Sequence, residues 1–201
     1  FSIGGLRKGF TDTRGTLFFD IERILREKRP KVIFLENVRG LENHDGGRTL
    51  QVMLDILADV VNDQPRLVDK KRNLGYKVYY KVLNSKNYNV PQNRERIYIV
   101  GFKDHDVKFT FPEGEKSTIK VVDLLDSEVD KKAYGVSDTV KQHIDKHLKE
   151  KSIDSNDSEL LLANEIRPSR CSFRNDGISP CLTAKMGTGG NNVPIIVKDK
   201  R

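Results

Sequence analysis

The chain has 201 residues, 36% of them hydrophobic, and a formal net charge of +7. That length suits one or two domains, and the composition supports a core even without Trp. Two cysteines exclude a disulfide framework, no CxxC or His/Cys spacing marks a metal site, and no apolar run approaches the roughly 18 residues of a membrane span.

The first residue is Phe1, with neither an initiator Met nor a signal peptide, so the sequence is expected to be part of a longer one. Its cysteine usage points to a reduced, cytoplasmic compartment. The positive charge fits a polyanionic partner, and its even spread excludes a disordered basic arm. Phe1 to Arg14 is a loop with Gly4, Gly5 and Gly9 among Arg7, Lys8 and Arg14. Such a loop grips phosphates through backbone N–H groups and charge, or is a plain surface loop. From Thr16 to about Lys28, Leu17, Ile21, Ile24 and Leu25 follow helical spacing, with Phe18 widening the apolar face. Cations load the far end and Pro30 stops the helix.

Residues 31–35 read as a strand buried on both faces, because no polar residue alternates within it. Glu36 and Asn37 follow where that strand is expected to end. Ligands of open α/β sheets bind at such strand ends, so Glu36 is a site candidate; a solvated edge carboxylate is the equal alternative. His44 to Gly47 forms a turn, with His44 structural or exposed. A second helix begins near Thr49 and carries Leu50, Met53, Ile56, Leu57, Val60 and Val61, with a break at Asn62 to Pro65. Residues 67–74 are expected to add a helical turn or two.

Tyr76, Val78, Tyr80 and Val82 alternate with Lys77, Tyr79 and Lys81, the pattern of a half-buried strand over 77–83. A polar connection leads to a further strand over 96–102. Arg94 and Arg96, two apart on extended chain, point to one side and converge on an anion or polar ligand, or are surface arginines. After Phe109 the chain becomes polar, and a domain boundary is placed there. His143 and His147 lie four apart on a helix, but no third ligand completes a metal site, so a solvated lysine face is expected. A strand-like segment, 193–197, closes the pattern.

Several of these segments match one family in order. Phe1-Ser2 resembles the end of a Pro-Cys-Gln-x-Phe-Ser segment, and 12–18 resembles the motif after it. Glu36-Asn37-Val38 resembles the family's Glu-Asn-Val, and 92–98 its Gln-x-Arg-x-Arg strand. Ile178 to Ala184, followed by Gly187, Gly189 and Gly190, resembles the end of a target-recognition region. Together they resemble the cytosine carbon-5 DNA methyltransferases. The resemblance implies an α/β fold: a partial Rossmann-like methyltransferase sheet of three strands with helices, then a smaller mixed α+β target-recognition region. Residues 1–108 would be the C-terminal part of the catalytic domain and 109–201 the target-recognition domain.

The resemblance also implies a reaction. A Cys thiolate adds to cytosine carbon 6, methyl moves from S-adenosylmethionine to carbon 5, and elimination restores the ring. Glu36 would serve ring nitrogen 3, which demands a carboxyl that carries or shares a proton. Arg96 and Arg94 would hold the cytosine O2 and the carboxylate's surroundings, and Asn37 would fix the backbone. Leu17 would line the methyl-donor pocket. Double-stranded DNA is the implied partner, with the target base flipped out. Ser2, Arg7, Lys8 and Arg14 would lie near phosphates, and Cys181 and Thr183 would brace the flipped nucleotide. Cys181 departs from the family, which usually has Thr there; Thr183 would stand in.

The nucleophile is expected before Phe1, since Pro180-Cys181 has the wrong context and Cys171 reads as a small buried residue. The glycine-rich methyl-donor motif and the closing motifs are also expected outside these residues, and 59–75 reads as a surface insertion. On its own the chain is therefore expected to be inactive and to bind S-adenosylmethionine weakly. An open sheet edge is expected to pair with another copy or to be covered by a rearranged segment. No membrane and no metal partner is expected, and the parent would be a restriction–modification, phage or solitary enzyme. A non-catalytic sequence-specific DNA-binding module, and an α/β interaction domain, are the competing readings.

Overall fold

A computed structural model describes residues 13–116, 118–126, 128–129, 135–155, 158–184, 186 and 193–199. The chain divides into two compact units. One holds the residues up to Leu83 together with Glu95–Glu113; the other holds Asn84–Arg94 and everything from Gly114.

The first unit is an α/β fold on a mixed sheet. Helix α1 (Thr13–Lys28) leads to β1 (Val32–Val38). A short α2 (Gly40–Asn43) and a 3-10 turn over His44–Gly47 introduce α3 (Arg48–Leu57). Strands β2 (Ala58–Val61), β3 (Gln64–Pro65), β4 (Tyr76–Asn84) and β5 (Glu95–Phe102) complete a five-stranded sheet of order β1-β5-β4-β2-β3. β2 runs parallel to β4, and β1 antiparallel to β5.

Periodicity explains the core. Phe18 and Leu25 of α1 and Leu50, Met53, Leu54 and Leu57 of α3 bury one face of each helix. They pack with Ile33, Tyr76, Val78, Ile97 and Ile99 from three strands. Phe109 covers part of the opposite sheet face, its ring centroid 5.5 Å from those of both Tyr79 and Phe102.

Several sequence expectations are corrected. Helix α1 starts at Thr13, three residues before the expected cap, and takes Arg14 out of the loop. β1 is not buried on both faces: Val32 is 53% and Phe34 65% exposed, while Ile33 is in the core. It also continues through Val38, so Glu36 lies within the strand. Val60 and Val61 leave the helix for β2, since Ala58 is already extended. Asn62 and Asp63, at φ 47° and 63°, form the left-handed pair of a tight hairpin turn into β3. Residues 59–75 thus extend the sheet, which has five strands rather than three. Residues 67–74 form no helix; their far end is tied by Asn73 Nδ2 to Asp55 O at 2.6 Å and Leu74 N–H to Ile56 O at 2.7 Å. Of the two readings of His44, structural or exposed, the structure favours the first, its Nδ1 lying 2.6 Å from Thr49 Oγ1.

The second unit packs helix α4 (Asp138–Glu150) on a three-stranded antiparallel sheet of β6 (Leu160–Arg167), β7 (Arg170–Arg174) and β8 (Ile195–Asp199), with β6 in the middle. Ile144, Ala163, Ile166 and Cys171 form its core. His147 is corrected from a solvated residue to a buried one. Its Nε2–H donates to Arg167 O at 3.0 Å and its Nδ1 lies 2.8 Å from Glu150 Oε2, pinning α4 to the β6–β7 turn.

β1 and β5 can approach as they do because Gly101 faces Ile33. A Cβ on Gly101 would lie 2.6 Å from Ile33 Cγ1 and 3.1 Å from Val78 Cγ2. Gly101→Ala should therefore cost about 1–3 kcal/mol in urea unfolding, as overpacking does. Combined with Ile33→Ala, which opens the space, the loss should fall short of the sum by about 1 kcal/mol; strict additivity would refute the clash.

Candidate active site

The antiparallel register sets Val32 opposite Phe102, Glu36 opposite Tyr98 and Val38 opposite Arg96. Alternation along each strand then puts Val32, Phe34, Glu36 and Val38 on one face with Arg96, Tyr98, Val100 and Phe102. Phe34 and Tyr98 make ring contact there, with centroids 5.7 Å apart.

Beside them Arg96 Nε and Glu36 Oε1 form an ion pair at 2.9 Å. Arg96 is only 16% exposed and Glu36 44%, so the carboxylate is open to solvent while the cation that orients it is largely enclosed. Arg96 Nη1 also donates to Glu95 O at 2.7 Å, which fixes the guanidinium from a second direction. Asn37 Oδ1 accepts the Val38 N–H at 2.8 Å, holding the backbone just past Glu36. Just past β1, Arg39 forms an ion pair with Glu95 of β5 at 2.6 Å, and Glu95 raises the Arg39 pKa. The outcome is a half-exposed carboxylate held beside a largely enclosed guanidinium, both facing the same side of the sheet.

In the second unit Arg94 lies just before β5 begins, and its Nη1 is 3.7 Å from Cys181 Sγ. The segment carrying Arg94 pairs with the one leading to Cys181: Gln92 bridges Ser179 in parallel, Asn93 N–H donates to Ser179 O at 2.8 Å and Ser179 N–H donates to Pro91 O at 2.8 Å. Thr183 is exposed, with its N–H 3.4 Å from Met186 Sδ. The structure thus brings Glu36 together with Arg96, and Arg94 together with Cys181.

Leu17 is an exposed aliphatic residue near the start of α1. Ser2, Arg7 and Lys8 lie outside the described residues, and for Arg14 only its backbone place in α1 is described. Cys171 is fully buried, and burial pushes its thiol pKa up, with Lys151 opposing this weakly. Such a thiol is inert, in keeping with a packing role. Among the described residues no cluster of three His, Cys, Asp or Glu could hold a metal, and no helix is long and apolar enough to cross a membrane. Sequence reasoning missed Asn84 and Ser179, whose bonds hold Arg94 in place; the one local sign was Asn-Ser directly after a strand, a turn-forming pair.

A model of the C-5 cytosine-specific DNA methylases matches residues 1–192. The type II methyltransferase M.NlaX of Neisseria lactamica is 50% identical over 71% of this chain and 41% of its own length. M.Bsp6I of Bacillus sp. (strain RFL6) is 37% identical over 98% of this chain and 58% of its own. This chain therefore spans about two fifths to three fifths of these relatives. Among solved structures, the Dnmt2 methyltransferase of S. pombe aligns with a TM-score of 0.47 at 24% identity, over 66% of this chain and 40% of that one.

Because Glu36 is half exposed, its pair with Arg96 should add little to stability. Glu36→Gln should shift the unfolding free energy by less than about 1 kcal/mol in urea titration. A loss of several kcal/mol would instead make the pair a structural one.

Proposed function

The chain belongs to the C-5 cytosine-specific DNA methylase family, and on that premise we propose that it carries the glutamate–arginine part of a DNA (cytosine-5-)-methyltransferase site and a target-recognition region. The observation that supports this reading is the Arg96–Glu36 pair at 2.9 Å, set by the β1–β5 register on one open face. The substrate is a cytosine flipped out of double-stranded DNA. Residues 1–108 belong to the catalytic domain and 109–201 to target recognition.

Each residue then has a chemical task. Cytosine carbon 5 is a poor nucleophile until a thiolate adds to carbon 6, which drives electrons toward ring nitrogen 3. Glu36 delivers a proton to nitrogen 3 as that bond forms and takes it back after methyl transfer; the carbon-5 hydrogen then leaves as a proton to a base, and departure of the thiolate restores the ring. Arg96 keeps the carboxyl aimed and offers its remaining N–H groups to the cytosine O2. Asn37 fixes the strand. Arg94, lying at Cys181, is assigned with Cys181 and Thr183 to the flipped nucleotide through its phosphate. Ser2, Arg7, Lys8 and Arg14 contact neighbouring phosphates.

S-adenosylmethionine supplies the methyl group when bound. Leu17, an exposed aliphatic side chain, fits an apolar wall of its site and offers it no polar grip. The attacking thiolate is neither Cys171, which is buried, nor Cys181, whose Pro180-Cys181 pair is not followed by Gln. By itself, then, the 201-residue chain does not transfer methyl groups and binds S-adenosylmethionine weakly or not at all. The relatives are named type II methyltransferases, which supports a restriction–modification reading, and cysteine usage supports a cytoplasmic one.

The test is to graft these residues into M.NlaX in place of its matching stretch. The chimera should methylate DNA, and Glu36→Gln should lower the rate by about 10²- to 10⁴-fold while DNA affinity holds. DNA binding that survives in a chimera indifferent to Glu36→Gln would favour a non-catalytic DNA-binding module.

The isolated chain has a further property. Among the described residues β1 is bonded to β5 alone, and Val32 and Phe34 are exposed on it. Its outer N–H and C=O groups form a template for another strand. We expect the isolated chain to self-associate there, and Phe34→Lys to return it to monomer in light scattering. A wild-type chain monomeric at high concentration would count against this.

A further inference from the structure

The backbone of Arg94 is held by side chains that the proposed reaction does not use. Asn84 Oδ1 accepts the Arg94 N–H at 3.1 Å and the Lys86 N–H at 3.3 Å. With two N–H groups facing it, that atom is fixed as the acceptor, so Nδ2 is free to donate, and it reaches Asn93 Oδ1 at 2.7 Å. Ser85 N–H donates to Arg94 O at 3.0 Å, and the Ser85 hydroxyl to Gln92 O at 2.6 Å. One amide therefore ties the start of the 84–94 segment to its end, and Ser179 braces its outer side at Pro91 and Asn93.

We propose that Asn84 is a positioning residue for Arg94, closing the 84–94 loop so that the guanidinium stands at Cys181 as a fixed cation for an anionic group of the substrate. The proposal rests on the reading of Arg94 given above. An arginine side chain has many rotamers to lose, so a fixed Cα and satisfied backbone groups decide how much of its charge is delivered to one place. Asparagine is required by the pattern: alanine removes all three bonds, and serine is too short to span from Lys86 to Arg94 while still closing the local turn.

Cys181 provides a reporter of that charge without DNA. In the 201-residue chain, the rate of Cys181 modification by the anionic 5,5′-dithiobis(2-nitrobenzoate) is divided by the rate with neutral 2,2′-dithiodipyridine, each followed by mass spectrometry of the Cys181 peptide. A cation at Sγ raises this ratio, so Arg94→Ala should lower it severalfold. Asn84→Ala and Asn84→Ser should each lower it to nearly the same extent, and adding Arg94→Ala to either should lower it no further. The neutral reagent should report unchanged access throughout. A wild-type ratio in both Asn84 variants, an additive double variant, or an Arg94→Ala variant with no effect would each overturn the proposal. The phosphate reading is separately judged by binding to a mixed-sequence DNA duplex, where Arg94→Ala should reduce the salt slope by about 0.9. An unchanged slope with a lowered ratio would sink the phosphate role and leave the positioning role standing.

Discussion

The antiparallel register between β1 and β5 is the constraint from which the candidate site follows. A slip of one residue would turn Glu36 and Arg96 to opposite faces, because side chains alternate along a strand. Two features hold the register. Ile33, on the core side, fits against a glycine at 101, and Phe34 meets Tyr98 on the other. The same alternation that sends Ile33, Ile97 and Ile99 into the core leaves the carboxylate and its arginine on the open face. Packing and chemistry are therefore one requirement on these two strands.

The second unit places its arginine by another route. No register fixes Arg94, since β5 begins only at Glu95. Side-chain amides, hydroxyls and a short main-chain pairing with Ser179 take over that task. Two arginines separated by one residue thus belong to different compact units and answer to different neighbours, Glu36 for one and Cys181 for the other.

The sequence carried β4 plainly, because alternation of Tyr76, Val78 and Tyr80 with Lys77, Tyr79 and Lys81 has no helical reading, although Tyr79 on the expected outer face is buried against Phe109. β1 was harder: an unbroken apolar run looks the same whether both faces are covered or one is open. Val60 and Val61 continued the spacing of α3, so periodicity could not reveal that Ala58 had already turned extended. His147 looked solvated among lysines, yet it sits three residues after Ile144 on the buried side of α4. The Glu36–Arg96 pair was legible through motif resemblance, not through any local pattern. Asn84 left almost no trace, since a bond spanning ten residues has no period.

The loop between β3 and β4 has a practical meaning for handling this protein. Leu67 is fully exposed, and Lys70, Lys71 and Arg72 follow on an exposed turn, an inviting target for a trypsin-like protease. Cutting there would sever the chain but not its anchors. Arg66 stays paired with Asp55 at 2.6 Å on one side of the cut. On the other side Asn73 and Leu74 remain bonded to α3 through Asp55 O and Ile56 O. The nicked molecule would hold together as two interlocked pieces, which makes this loop the natural place to insert a tag or to split the chain for reassembly.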